Sequence, residues 1–133
     1  MHVYHREPGP NSTWVETQKL FAPAVVKSFS EFGDSLKLKD GILYIGNPGD
    51  YNKLRPRQWY KGYVVAYNST DGGRTWSVVD KIEADDTVGG FPGGDQFGFS
   101  IAVDGDQMVV SAKAVDNLNG VKDSGALYVF QNV

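Results

Sequence analysis

The chain has no cysteine among its 133 residues and only two histidines, His2 and His5. The first absence excludes a disulfide framework, a thiolate zinc site and a cysteine nucleophile. The second leaves imidazole chemistry to "HVYH" at the N-terminus, which is read as a fraying end rather than a metal site. Arginine is also scarce. Arg6, Arg55, Arg57 and Arg74 are the whole set, and no pattern groups them to grip an anionic substrate. No serine elbow and no paired acids meet the geometric needs of general acid/base work, so no catalytic residue is expected. Positive charge is not in excess either. The net charge is −3, and the basic run "KLRPR" (Lys53–Arg57) is a solvated loop rather than a nucleic-acid footprint. No apolar run approaches the roughly 20 residues of a membrane span. No leader is visible in "MHVYHREPGPNSTW". A site of action outside a cell, as on a virion surface, would be reached by lysis, by assembly into a particle, or after removal of an unseen leader.

What is present is glycine, aromatic side chains and short alternating segments. Glycine numbers 16, aromatics make up 13% and hydrophobics 41%. Runs of four to eight residues alternate between apolar and polar, and Gly, Asn, Asp and Pro clusters separate them, an all-β pattern. No segment holds a helical period over three turns; "FAPAVVKSFSEF" is broken by Pro23.

These segments repeat. "SEFGDSLKLKDGILYIGNPGD" (Ser30–Asp50) aligns with "DQFGFSIAVDGDQMVVSAKAV" (Asp95–Val115), placing Phe32 on Phe97, Gly33 on Gly98 and Ile45 on Val110. "WVETQKLFA" (Trp14–Ala22) aligns with "WSVVDKIEA" (Trp76–Ala84), and "GYVVAYN" (Gly62–Asn68) with "GALYVFQ" (Gly125–Gln131). Three segments in the same order give two units, about 3–62 and 63–133, with four strands each. A unit of this length and strand count is a propeller-blade pattern. Taken from each Phe-Gly pair, the first strands are Phe32–Leu38 and Phe97–Val103, and the second are Ile42–Gly46 and Gln107–Ala112. The third are Tyr63–Tyr67 and Ala126–Gln131, and the fourth are Trp14–Leu20 and Trp76–Ile82. Val3–Arg6 is a spare third strand.

The motifs Trp14 with Lys19-Leu20, Trp76 with Lys81-Ile82, Phe32-Gly33, Phe97-Gly98, Gly62-Tyr63-Val64-Val65 and Gly125 to Phe130 resemble the FG-GAP repeat family. That family forms the blades of integrin-type and bacterial β-propellers. The resemblance implies an all-β fold of two four-stranded antiparallel blades, part of a larger propeller or an oligomeric ring. It implies adhesion, recognition or assembly without choosing among them. "STDGGRTW" (Ser69–Trp76) is similar to the Asp-box of sialidase-type propellers. Asp71 is expected to accept turn amides, with Ser69 in the same motif, Gly72 and Gly73 to take positive φ, and Trp76 to anchor the hairpin. The first unit keeps only "NSTW" (Asn11–Trp14). "NST" at Asn11 and at Asn68 is read as turn chemistry rather than as a glycan acceptor.

The units are out of phase with whole blades. The chain opens on a third-type and a fourth-type strand, gives one complete set, and ends on a first, second and third. Exposed sheet edges are rarely left unpaired. Donation of Trp14–Leu20 from one copy to the final sheet of another would close a ring. A fragment of a larger adhesion-type propeller, or a two-sheet sandwich folding back on itself, are the alternatives. The expected partners are copies of the chain or other protein subunits, with no nucleic acid and no membrane span.

Two loops carry candidate sites. "VDNLNGVKD" offers Asn117, Asn119 and Asp123 in the pattern of the calcium loop that some FG-GAP blades carry, with Val115 where the first acid belongs. A polar turn is the simpler reading. The first long loop holds Tyr51, Trp59 and Tyr60 beside Arg55 and Arg57, a composition suited to a protein or surface-glycan partner in an oligomeric lectin. The competing role is packing between blades.

Overall fold

The computed structural model describes residues 1–23, 31–49, 61–87, 94–116 and 119–133. These residues form nine strands and no helix. They are β1 (His2–Arg6), β2 (Trp14–Lys19), β3 (Leu36–Lys39), β4 (Ile42–Asn47), β5 (Tyr63–Asn68), β6 (Ser77–Ile82), β7 (Phe97–Asp104), β8 (Gln107–Ala112) and β9 (Ala126–Gln131). All neighbours are antiparallel, in three sheets ordered β1-β2, β3-β4-β5-β6 and β7-β8-β9.

The sheets therefore hold two, four and three strands, which corrects the expectation of two four-stranded blades. Each sequence unit begins at a third-type strand, β1 or β5, inside a sheet, so a repeat is not a sheet. The first strand also starts later than expected. Phe32 to Ser35 form turns, and β3 begins at Leu36. Pairing nevertheless reaches back, because Gly33 N donates to Gly46 O and Gly46 N to Ser35 O. Phe97–Gly98 makes the matching departure inside β7, where the register jumps between Phe97 and Ser100.

Alternation on β4 and β5 gives the central sheet two apolar faces. Ile45, Val65, Tyr67 and half-buried Leu43 pack with Met1, Val3 and Leu20 of the first sheet. Tyr44, Val64, Ala66, Ile42 and Ile82 pack with Phe97, Met108, Val110, Tyr128 and Phe130 of the third. Each fully buried side chain of the Ile45, Val64 or Phe97 kind contributes about 1.5–3 kcal/mol. A strand apolar on both faces is a buried strand, which is why "YVVAY" does not alternate.

The stacking repeats with one polarity. β1 pairs β2 as β5 pairs β6: His2 faces Lys19 as Val65 faces Lys81, and Tyr4 faces Glu16 as Tyr67 faces Val78. Both ladders carry an irregularity at the same place, Val3/Tyr4 and Ala66/Tyr67. Val3 thus corresponds to Ala66 and Val129, and Met1 to Val64 and Leu127. In the first two sheets this face is covered by the next sheet. In the third it is not: Leu127 is 71% and Val129 62% exposed.

Candidate interaction surface

Two features of the third sheet are unfinished. Its outer face carries Leu127 and Val129, with Val109 opposite Val129 in register. Its β9 edge has no neighbour among the described residues, where β5 has β6. The expected donor strand β2 is paired with β1 of its own chain.

The joint between the second and third sheets shows how such a face is filled. Phe97 N donates to Lys61 O at 2.9 Å, and Phe97 forms a parallel bridge to Gly62. Ser35 Oγ donates to Gly98 O at 2.7 Å. The backbones touch, so only glycine fits. A Cβ on Gly62 would stand 2.1 Å from Phe97 O, and one on Gly46 2.1 Å from Gly98 O. Gly62 and Gly98 also adopt positive φ, +84° and +92°, where glycine is unstrained. Phe97 is fully buried beneath this contact, edge-on to Tyr128 and Phe130 at 5.3 and 6.0 Å between centroids.

Sequence reasoning quoted Phe32, Gly33, Phe97 and Gly98 but missed the receiving side, Gly46, Lys61 and Gly62. The signal was available, since Gly62 and Gly125 open the same segment in the two units. On the third sheet the counterparts of the receiving residues line a vacant groove of about 570 Å³, formed by Ser111, Ala112, Lys113, Ser124, Gly125 and Ala126, with Leu127 at its edge.

The turn between β5 and β6 is closed by side-chain hydrogen bonds. Asp71 Oδ1 accepts from Arg74 N and Thr75 N at 3.0 and 2.9 Å, and Oδ2 from Thr75 Oγ1 at 2.6 Å. Ser69 Oγ donates to Asp71 and accepts from Gly73 N. The Thr75 bonds hold the Asp71 carboxyl down at about 2. Gly72 and Gly73 take positive φ. Trp76 Nε1 closes the turn on Gly73 O at 3.0 Å, and Trp76 exchanges two backbone bonds with the side chain of Gln18 on β2. Trp76 thereby ties the first sheet to the second. Trp14, its partner in the sequence comparison, starts β2 and is 67% exposed.

The other sequence candidates are not gathered into a site. Tyr51, Arg55, Arg57, Trp59, Tyr60 and Asn117 lie outside the described residues. Asn119 and Asp123 are exposed, and Asp123 has φ +50°. Asp123 N donates to Asp116 Oδ1 at 3.0 Å, and the Lys122 ammonium binds the other oxygen. The Lys122 bond lowers the Asp116 pKa. Among the described residues no three acids or imidazoles converge on a metal position. None of their helices could cross a membrane, since they contain none.

Comparison with known families finds one similarity. Residues 76–130 match the FG-GAP repeat family. The match runs from Trp76, just before β6, to Phe130 in β9. The FG-GAP unit thus contributes the last strand of one sheet and the first three of the next, and sheet and repeat boundaries cannot coincide. The match suggests a β-propeller-type module, and the antiparallel sheets are consistent with propeller blades. No curated protein and no solved structure matches the chain.

Proposed function

We propose that the chain is a non-enzymatic structural module that supplies propeller-type blades to a larger protein assembly. Its place is outside the cell, in a particle or surface appendage. One observation carries this reading: the third sheet repeats the second in register and core, yet among the described residues it has no fourth strand and no covering sheet. An open strand edge beside an apolar face is a template for another strand. The FG-GAP match over residues 76–130 supports the reading, because that repeat suggests a β-propeller-type interaction module. The β5–β6 turn supports it too, since Trp76 at its end bonds the Gln18 side chain of the first sheet through both its backbone N–H and its carbonyl.

Light scattering of the purified chain across concentration tests the proposal. A mass that rises to a multiple of 14.6 kDa is expected. A monomer at every concentration contradicts it.

A further inference from the structure

Among the described residues a receiving groove on the third sheet and a Phe-Gly turn without a receiving sheet match each other. Phe32–Gly33 is built like Phe97–Gly98. Gly33 has φ +99° against +92° for Gly98. Phe32 stands edge-on to Tyr67 at 6.4 Å, as Phe97 stands to Phe130. Gly98 is pressed against the second sheet, where an added Cβ would lie 2.7 Å from Tyr63 O; an added Cβ on Gly33 would meet nothing within 4 Å. The two-stranded first sheet has no strand of the β4 kind to receive it.

The groove on the third sheet is the receiving surface in outline. Ser124, Gly125 and Ala126 stand where Lys61, Gly62 and Tyr63 stand, and Ser111 and Ala112 replace Gly46 and Asn47. Gly125 keeps the positive φ of Gly62, +78° against +84°. One residue departs. Ser111 has a side chain where Gly46 has none, so an entering carbonyl must sit further out. Its Oγ is shielded from water and lacks a hydrogen-bond partner. By turning outward about χ1 it would gain a partner in that carbonyl, as Ser35 Oγ donates to Gly98 O.

We propose that the occupant is a second copy of this chain. The Phe32–Gly33 turn of one copy seats in the Ser111–Gly125 groove of another, and the Leu127/Val129 face of the latter covers the Ile45/Val65 face of the former. The inference rests on the assembly reading above and names its partner. It has a structural consequence for β1. In the chain alone, Met1, Val3 and Leu20 cover Ile45 and Val65, and β1 holds the ladder of β2 that a neighbour's β9 would take. β1 is therefore a self-bound stand-in that must leave before β9 can enter. It is a weak one: five residues, alternately exposed, against the apolar Leu127-Tyr128-Val129-Phe130 of β9.

Sedimentation velocity of the full chain, from micromolar to millimolar, tests this with three substitutions. Val129→Lys charges the free face and abolishes association. Val3→Glu loosens β1 and tightens association about tenfold, because the competent state becomes more populated. Val79→Lys alters another exposed apolar residue, outside the joint, and changes nothing. Near-ultraviolet circular dichroism confirms that the Phe97–Tyr128 core survives in each. Should Val3→Glu perturb that core, an excess of a peptide of residues 14–20 is added to the wild-type chain instead; it fills the β9 edge and dissolves the association. Association that persists in Val129→Lys, or that neither Val3→Glu nor the peptide alters, overturns the joint between copies and leaves the broader assembly reading standing. A chain that stays monomeric in both wild-type and Val3→Glu forms overturns both.

Discussion

Phe97 lies beside Gly62 in parallel register, its carbonyl oxygen 2.1 Å from the point a Cβ on Gly62 would occupy. Sheets normally meet through side chains, about 10 Å apart. Here two backbones meet directly, and the glycine is required twice, by the close approach and by its positive φ.

Gly62→Ala tests that contact. The left-handed backbone costs about 1–2 kcal/mol, and relieving the overlap adds about 1–3 kcal/mol. Chemical denaturation is expected to show a loss of about 2–5 kcal/mol. Gly41→Ala in the β3–β4 turn also has positive φ but open space around it, and loses only the backbone share.

The two Phe-Gly turns are equal in sequence and unequal in structure. Phe97 is fully buried, and Phe32 is half-buried at a face that lacks a receiving sheet. Phe97→Ala is expected to cost about 3–5 kcal/mol, and Phe32→Ala well under half of that, in urea melts of the dilute chain.

The Asp71 carboxyl sits at about 2, below the usual 3.8. A lowered value in the folded state means that the folded chain binds this proton less readily than the unfolded chain. The stabilisation is complete above 3.8 and drains away as pH falls toward about 2. Thermal melts of wild type and Asp71→Ala are expected to differ at neutral pH and to converge in acid.

Tyr128 behaves in the opposite sense. Burial, with Asp86 beside it, pushes the phenol up to about 12. The folded state holds this proton more tightly, so its contribution is full below 10 and is lost as pH rises toward about 12. Tyr128→Phe keeps the ring packing and is expected to flatten that alkaline loss in a pH series of melts.

Much of the fold was legible because its determinants are local. Glycine turns, period-two segments and the Phe-Gly and Trp motifs placed the strands within a few residues, even the spare β1. The expectation of two four-stranded blades failed because a repeat is defined by sequence similarity and a sheet by pairing, whereas the phase of the strand types along the chain did match the sheets of two, four and three strands. The receiving surface was missed for a similar reason. Gly46 lies on β4 and Gly62 just before β5, and their shared role exists only after Phe97 has crossed from β7. Asp71 was legible because all its partners lie within four residues.

Amide hydrogen exchange along β9 tests most directly whether the third sheet awaits a neighbour. In the dilute chain, alternate β9 amides should exchange almost freely while β5, paired on both edges, is protected throughout; the β9 amides should gain protection as the chain assembles. A β9 protected along its whole length in a dilute monomer would show the edge closed from within, and would contradict the account.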